Sequence, residues 1–189
     1  MRLQFLLLLF LTSIINAQTK QREIKELLTK VVPLAVQQYT RLEKATPDSG
    51  MPRSFDPKSK SLIFSDTKWW CSGFFPGSLW YIYELSNNTA IKQIAEKRTW
   101  LLEPIQNFTG NHDLGFMIYC PFGNAYRLTN DTRYKPIIHN AAKSLLTRYR
   151  PSIQSIQSWE SSSKLSCPVI IDNMMNLELL YWSSLNGGS

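Results

Sequence analysis

The sequence predicts an all-α fold in concentric layers of helices, an α/α toroid or barrel, and three observations carry that expectation. Apolar residues make up 43% and aromatic residues 12% of the 189 positions, enough to bury a core and too many for a disordered chain. Stretches with apolar residues at helical spacing alternate with stretches apolar on nearly every side, and the alternation occurs three times. Half-exposed helices alternating with buried ones are what an outer layer wrapped around an inner one requires. A plain bundle of three hairpins or a solenoid would show the same periodicity, so the pattern supports layering more directly than closure.

The elements follow in order. Met1-Arg2, the apolar run Leu3 to Ile15 and then Asn16-Ala17-Gln18 have the charge, hydrophobic stretch and small residue of a secretory signal peptide, with cleavage expected after Ala17. That run is 13 residues, short of the roughly 20 needed to span a bilayer, and no comparable run follows. A secreted or periplasmic protein without a membrane span is therefore expected. From Arg22, the positions Ile24, Leu27, Leu28, Val31 and Val32 form an amphipathic helix that Pro33 is expected to kink before it continues towards Leu42. Thr46 to Ser65, with Pro47, Gly50, Pro52 and Pro57, has neither period and reads as a long loop. Phe74 to Leu85 is apolar nearly throughout and reads as a buried helix.

The second pair begins at Thr89, a candidate N-cap for a helix with Ile91, Ile94, Ala95, Leu101 and Leu102 on one face. It is followed by the apolar stretch Leu114 to Leu128. In the third pair, Asn130 or Asp131 opens a helix whose stripe is Ile138, Ala141, Ala142, Leu145, Leu146 and Tyr149. A serine-rich connection from Pro151 to Ser166 then leads to the apolar run Val169 to Trp182.

Composition narrows the function classes. Without Arg2 the chain keeps 20 basic against 14 acidic residues, spread along the helices with no dense run of the kind that tracks a phosphate backbone, so no nucleic-acid partner is expected. A modest positive excess suits an acidic substrate, which long-range attraction brings to the protein faster. Cys71, Cys120 and Cys167 are an odd number without CxxC spacing; they read as small core residues, and one disulfide would be compatible with an oxidising compartment. No phosphate-binding glycine loop, HExxH or GxSxG occurs, so no cofactor and no metal is expected.

Two carboxylates stand out because each sits where a buried apolar stretch begins: Asp113 in Asn111-His112-Asp113-Leu114, and Asp172 in Ile170-Ile171-Asp172-Asn173-Met174-Met175-Asn176. Helix capping would account for either alone. Among Met, Leu and Ile a carboxyl is desolvated and its pKa rises towards values useful for acid catalysis, and glycosidases divide acid and base roles between two such groups. Trp69, Trp70 and Trp159 lie in loop-like segments, where stacking on a sugar ring competes with core packing as their role. His112 is either a core histidine or a partner for an acidic sugar; His139 carries no assignment.

On four segments the chain resembles glycoside hydrolase family 88, the unsaturated glucuronyl hydrolases. They are Trp70-Cys71-Ser72-Gly73-Phe74-Phe75-Pro76-Gly77-Ser78-Leu79-Trp80, His112-Asp113-Leu114-Gly115-Phe116-Met117, Ser158-Trp159 and Ile171-Asp172-Asn173-Met174-Met175-Asn176-Leu177. The resemblance implies that residues 18–189 are the first half of an (α/α)6 barrel, about six helices in three hairpins, truncated at the C-terminus. It implies removal of an unsaturated uronic acid from the non-reducing end of lyase-generated, glycosaminoglycan-type oligosaccharides, by hydration of a vinyl ether. In that reading Asp172 is the acid/base and Asp113 the assisting carboxylate, while Trp70, His112 and Trp159 contact the sugar. The related unsaturated rhamnogalacturonyl hydrolases share the fold and are the rival reading, together with an inactive sugar-binding fragment; the resemblance leaves the oligomeric state open.

Overall fold

The computed structural model describes the backbone of residues 2–188 and the side chains of residues 19–188. The expected signal peptide falls on residues 1–17, whose side chains lie outside the described residues. Helix α1, Arg2–Ala45, runs through Pro33 without interruption. Its predicted stripe is only half used: Ile24, Leu27, Leu28 and Val31 stand exposed, and α1 joins the core from Ala35 and Val36 through Tyr39 to Leu42. Among the described residues no helix is long and apolar enough to cross a membrane.

The expected loop from Thr46 to Ser65 is instead a hairpin. Strands β1 (Met51–Asp56) and β2 (Ser61–Ser65) pair antiparallel, with Met51 opposite Ser65 and Phe55 opposite Leu62. Pro52 cannot donate to a ladder, and the register slips between Pro52 and Ser54, so the alternation that marks a strand is broken in the sequence itself. Asp56 closes the turn by accepting from the Lys58 amide and the Ser59 hydroxyl. Arg98, fully buried, fastens this hairpin to the helices. It pairs with Glu43 at 2.6 Å and donates to the carbonyls of Thr46, Pro47, Asp48 and Gly50.

The predicted layering is present. Helix α2 (Phe74–Ser86) packs on α3 (Thr89–Trp100) and on α1, with Leu79 and Trp80 fully buried and the Trp80 indole donating to the Thr99 hydroxyl at 2.9 Å. Asn88, not Thr89, caps α3, its side chain accepting from the amides of Ala90 and Ile91. A short 3-10 helix, Glu103–Asn107, leads to a π-helix over Gly115–Gly123 that contains Pro121 and continues as α4 (Asn124–Thr129). Asn130 closes α4 in the left-handed conformation and so ends one helix where it was expected to start the next. Helix α5 (Tyr134–Leu146) packs on the π-helix with Ile138, Ala141, Ala142 and Leu145 buried, whereas Leu146 and Tyr149 are exposed.

After the two-residue strands β3 (Tyr149–Arg150) and β4 (Ser155–Ile156), the last apolar run is not one buried helix. It enters as turn, forms α6 (Asn173–Asn176) and then α7 (Glu178–Leu185), and buries only part of its surface. His139 on α5 fixes α7 through the Ser183 hydroxyl at 2.8 Å and lies against Trp182. The π-helix touches α2 on one side and α6 and α7 on the other, so these three apolar segments form one layer and α1, α3 and α5 cover it. The three cysteines are unpaired and half-buried, not the core residues expected.

Candidate active site

Asp113 and Asp172, 59 positions apart, meet because the π-helix and α6 begin side by side. Glycine makes the approach feasible: a Cβ on Gly115 would stand 2.5 Å from the Cα of Asn176, and one on Gly73 would collide with the Phe116 carbonyl. Neither carboxylate is spent as a cap. Asp172 makes no side-chain capping bond to α6, and its Oδ1 is buried without a hydrogen-bond partner. The Asp113 carboxyl meets the Asn176 side chain, while its backbone carbonyl takes the Met117 amide.

His112 joins the two. Its Nε2 lies 3.5 Å from Asp113 Oδ1 and 3.9 Å from Asp172 Oδ1, and its Nδ1 lies 2.7 Å from Asn173 Oδ1. His112 and Asp113 are buried, whereas the Asp172 side chain is 35% exposed. Burial pushes the Asp113 carboxyl above its ordinary range; the charge of His112 opposes this, that of Asp172 adds to it, and the Asn176 hydrogen bond opposes it again. A proton is thus held more readily on Asp113 than on a solvated carboxyl. One atom from each of the three side chains lies within 4.8 Å of the others. The same spacing would also fit a divalent ion.

The aromatic residues divide. Trp159 stands edge-on to His112, ring centroids 6.3 Å apart, and Trp70 packs against Phe74 and Phe116 at 5.8 and 6.3 Å. Both indoles are 43% exposed, which core packing does not require. Trp69 instead lies under the Arg53 guanidinium at 3.8 Å, a hairpin contact. Trp70 reaches the carboxylates indirectly: Phe116 donates its amide to Asn176 Oδ1, and Asn176 holds Asp113.

Sequence reasoning passed over the groups that hold this arrangement. Ser158 takes the His112 amide on its carbonyl and the Ile170 amide on its hydroxyl, and Asn173 and Asn176 are buried on α6. Two amides within an apolar Met-Leu run are a legible signal, because a buried polar side chain needs partners. Arg148, also buried, donates to the carbonyls of Thr109 and Gln157 and pairs with Glu160, clamping the loops that carry His112 and Trp159. A hollow of about 680 Å³ lies elsewhere along the apolar layer, between Tyr81, Tyr119, Arg127, Glu178 and Trp182, with Phe74 also in its lining.

No family model matches the chain. Over 135 residues it is 42% identical to an unsaturated glucuronyl hydrolase of Formosa agariphila, the match covering 70% of this chain and 34% of that protein. Over 166 residues it is 31% identical to an unsaturated chondroitin disaccharide hydrolase of Streptococcus agalactiae, covering 85% of this chain and 40% of the relative. The crystal structure of an unsaturated glucuronyl hydrolase specific for heparin superposes with a TM-score of 0.79 at 41% identity, covering 85% of this chain and 43% of that one. The chain therefore spans less than half the length of the relatives it matches. By sequence and by fold it belongs with the unsaturated glucuronyl hydrolases, corresponding to the N-terminal part of their helical barrel.

Proposed function

We propose that this chain carries the proton-transfer centre of an exported unsaturated glucuronyl hydrolase. The substrate class is an oligosaccharide ending in an unsaturated uronic acid, as polysaccharide lyases generate. The observation that supports this most is the convergence of Asp113 and Asp172 on one atom, His112 Nε2, beside exposed indoles. Asp172 is the more open carboxyl, its side chain 35% exposed, which suits the group that meets substrate. In its acid form it gives a proton to carbon 4 of the carbon 4–carbon 5 double bond, and positive charge develops at carbon 5. Water adds there and returns a proton to the Asp172 carboxylate; the hemiketal formed then opens and releases the aglycone. Asp113 holds charge and proton beside it, and Trp70 and Trp159 offer faces to the ring. Net positive charge favours capture of the anionic sugar.

Loss of the ultraviolet absorbance of an unsaturated glycosaminoglycan disaccharide measures the reaction. In a full-length context, loss of turnover in Asp172→Asn with binding retained is the expected result; turnover unchanged by that substitution would remove Asp172 from the chemistry. A second reading, sugar binding without turnover, is favoured by the open face of α6 and α7 beside Asp172. Calorimetric binding of the disaccharide without absorbance loss would select it.

A further inference from the structure

We propose that Asn173 is a positioning residue that fixes His112 in its Nδ1–H tautomer, so that Nε2 is the ring nitrogen presented to both Asp113 and Asp172. The Asn173 side-chain amide lies 2.8 Å from the Ile156 carbonyl oxygen, which only accepts, so the group facing it is the NH2. The same NH2 lies 3.3 Å from Ser158 Oγ, which also takes the Ile170 amide. Turning the amide over would set two oxygens against each other in a buried place, a costly arrangement. Its Oδ1 therefore points at His112 Nδ1, 2.7 Å away, and an oxygen there requires a proton on Nδ1. A neutral ring then has its lone pair on Nε2, and a cationic ring has its second proton there. In either state, what passes between His112 and the carboxylates passes through Nε2, at 3.5 Å from Asp113 and 3.9 Å from Asp172. Those two carboxyls, one at the start of the π-helix and one at the start of α6, are the charged groups facing that nitrogen among the described residues, and the Trp159 ring covers the imidazole from the side.

The consequence is that α6 supplies both Asp172 and the amide that orients the histidine coupling Asp172 to Asp113. The inference rests on the proposed proton-transfer reading for its meaning but not for its test. The chain contains two histidines, so long-range proton–nitrogen correlation spectra of the 15N-labelled protein show two rings, and His139→Asn identifies the His112 signals. The expected result is a protonated Nδ1 on His112 throughout the titration, with lone-pair character appearing only at Nε2. A neutral ring protonated on Nε2 would overturn the proposal in the wild-type protein alone. Asn173→Leu removes the acceptor and should give a mixture of tautomers with a shifted titration; an unchanged Nδ1–H ring overturns the idea. Asn173→Asp, as the buried neutral acid, keeps a carbonyl oxygen towards the ring and an O–H towards the Ile156 carbonyl and should retain the single tautomer, and a mixture there would count equally against it. If the Leu variant does not fold, the wild-type and Asp spectra decide. Activity measured in parallel separates the two claims, since a locked tautomer in a protein without turnover sinks the reaction and not the positioning role.

Discussion

Two segments of nearly equal apolarity meet opposite fates. Phe74–Ser86 buries Phe75, Leu79, Trp80 and Ile82 between α1, α3 and the π-helix. In the run from Val169 to Leu185, by contrast, Ile171 is 85%, Met174 and Met175 67%, Tyr181 70% and Leu185 84% exposed, and the chain breaks into two short helices. The difference is not composition but neighbours. Helix α2 has helices packed around most of its surface, whereas α6 and α7 lean on the π-helix and α5 and leave their other side open. Burial is conferred by what packs against a helix, and an apolar sequence states only the demand. The same lesson holds on α1, where Ile24 and Leu27 are exposed but Tyr39 stacks on Phe75 at 5.8 Å.

The contrast is open to attack at both ends. Trp80→Ala should have the largest effect, a loss of about 3 to 5 kcal/mol measured by chemical denaturation, since it empties the centre of α2 and leaves the Thr99 hydroxyl without its partner. A small loss there would mean that α2 is no better packed than α7. Next comes the seam between the regions. Gly115→Ala forces a Cβ against the Asn176 backbone, so a loss of about 1 to 3 kcal/mol is expected, with activity falling further than stability because Asn176 holds Asp113.

Asp113→Asn tests the site itself and should raise stability at neutral pH. The native carboxyl binds its proton more tightly than the unfolded one, so between its ordinary pKa and the raised one the folded state carries more protons, and wild-type stability falls as pH rises through that window. Melting curves of wild type and variant should therefore converge below the ordinary carboxylate range and separate above it; curves that stay parallel would mean that Asp113 is not perturbed by folding. The smallest effect on stability is expected on the open flank. Ile171→Ser with Met174→Gln should change unfolding free energy by no more than about 0.5 kcal/mol, yet shift the chain from associated species towards monomer in sedimentation velocity, because exposed apolar patches drive association. A wild-type chain already monomeric at high concentration would show that the flank is harmless.

Much of this was legible in the chain. The three alternations of amphipathic and apolar stretches specify helices and their layering, because periodicity records which faces seek a core. The positions of Asp113 and Asp172 were legible too, as carboxyls placed where apolar stretches begin. The β1–β2 hairpin was not, since Pro52 and the slipped register erase the alternation that marks a strand. Nor were Ser158 and Arg148 readable as the frame of the site, and Asn173 and Asn176 were marked only as amides in an apolar run and not by their partners, because a hydrogen bond between residues as far apart as His112 and Asn173 leaves no local period. The sequence by itself determined which segments are helical, which are apolar and which acids begin them, all matters of short-range pattern. Only the tertiary structure decided that two carboxyls share one histidine nitrogen and that one apolar run stays open to solvent, because convergence and burial depend on which distant surfaces meet.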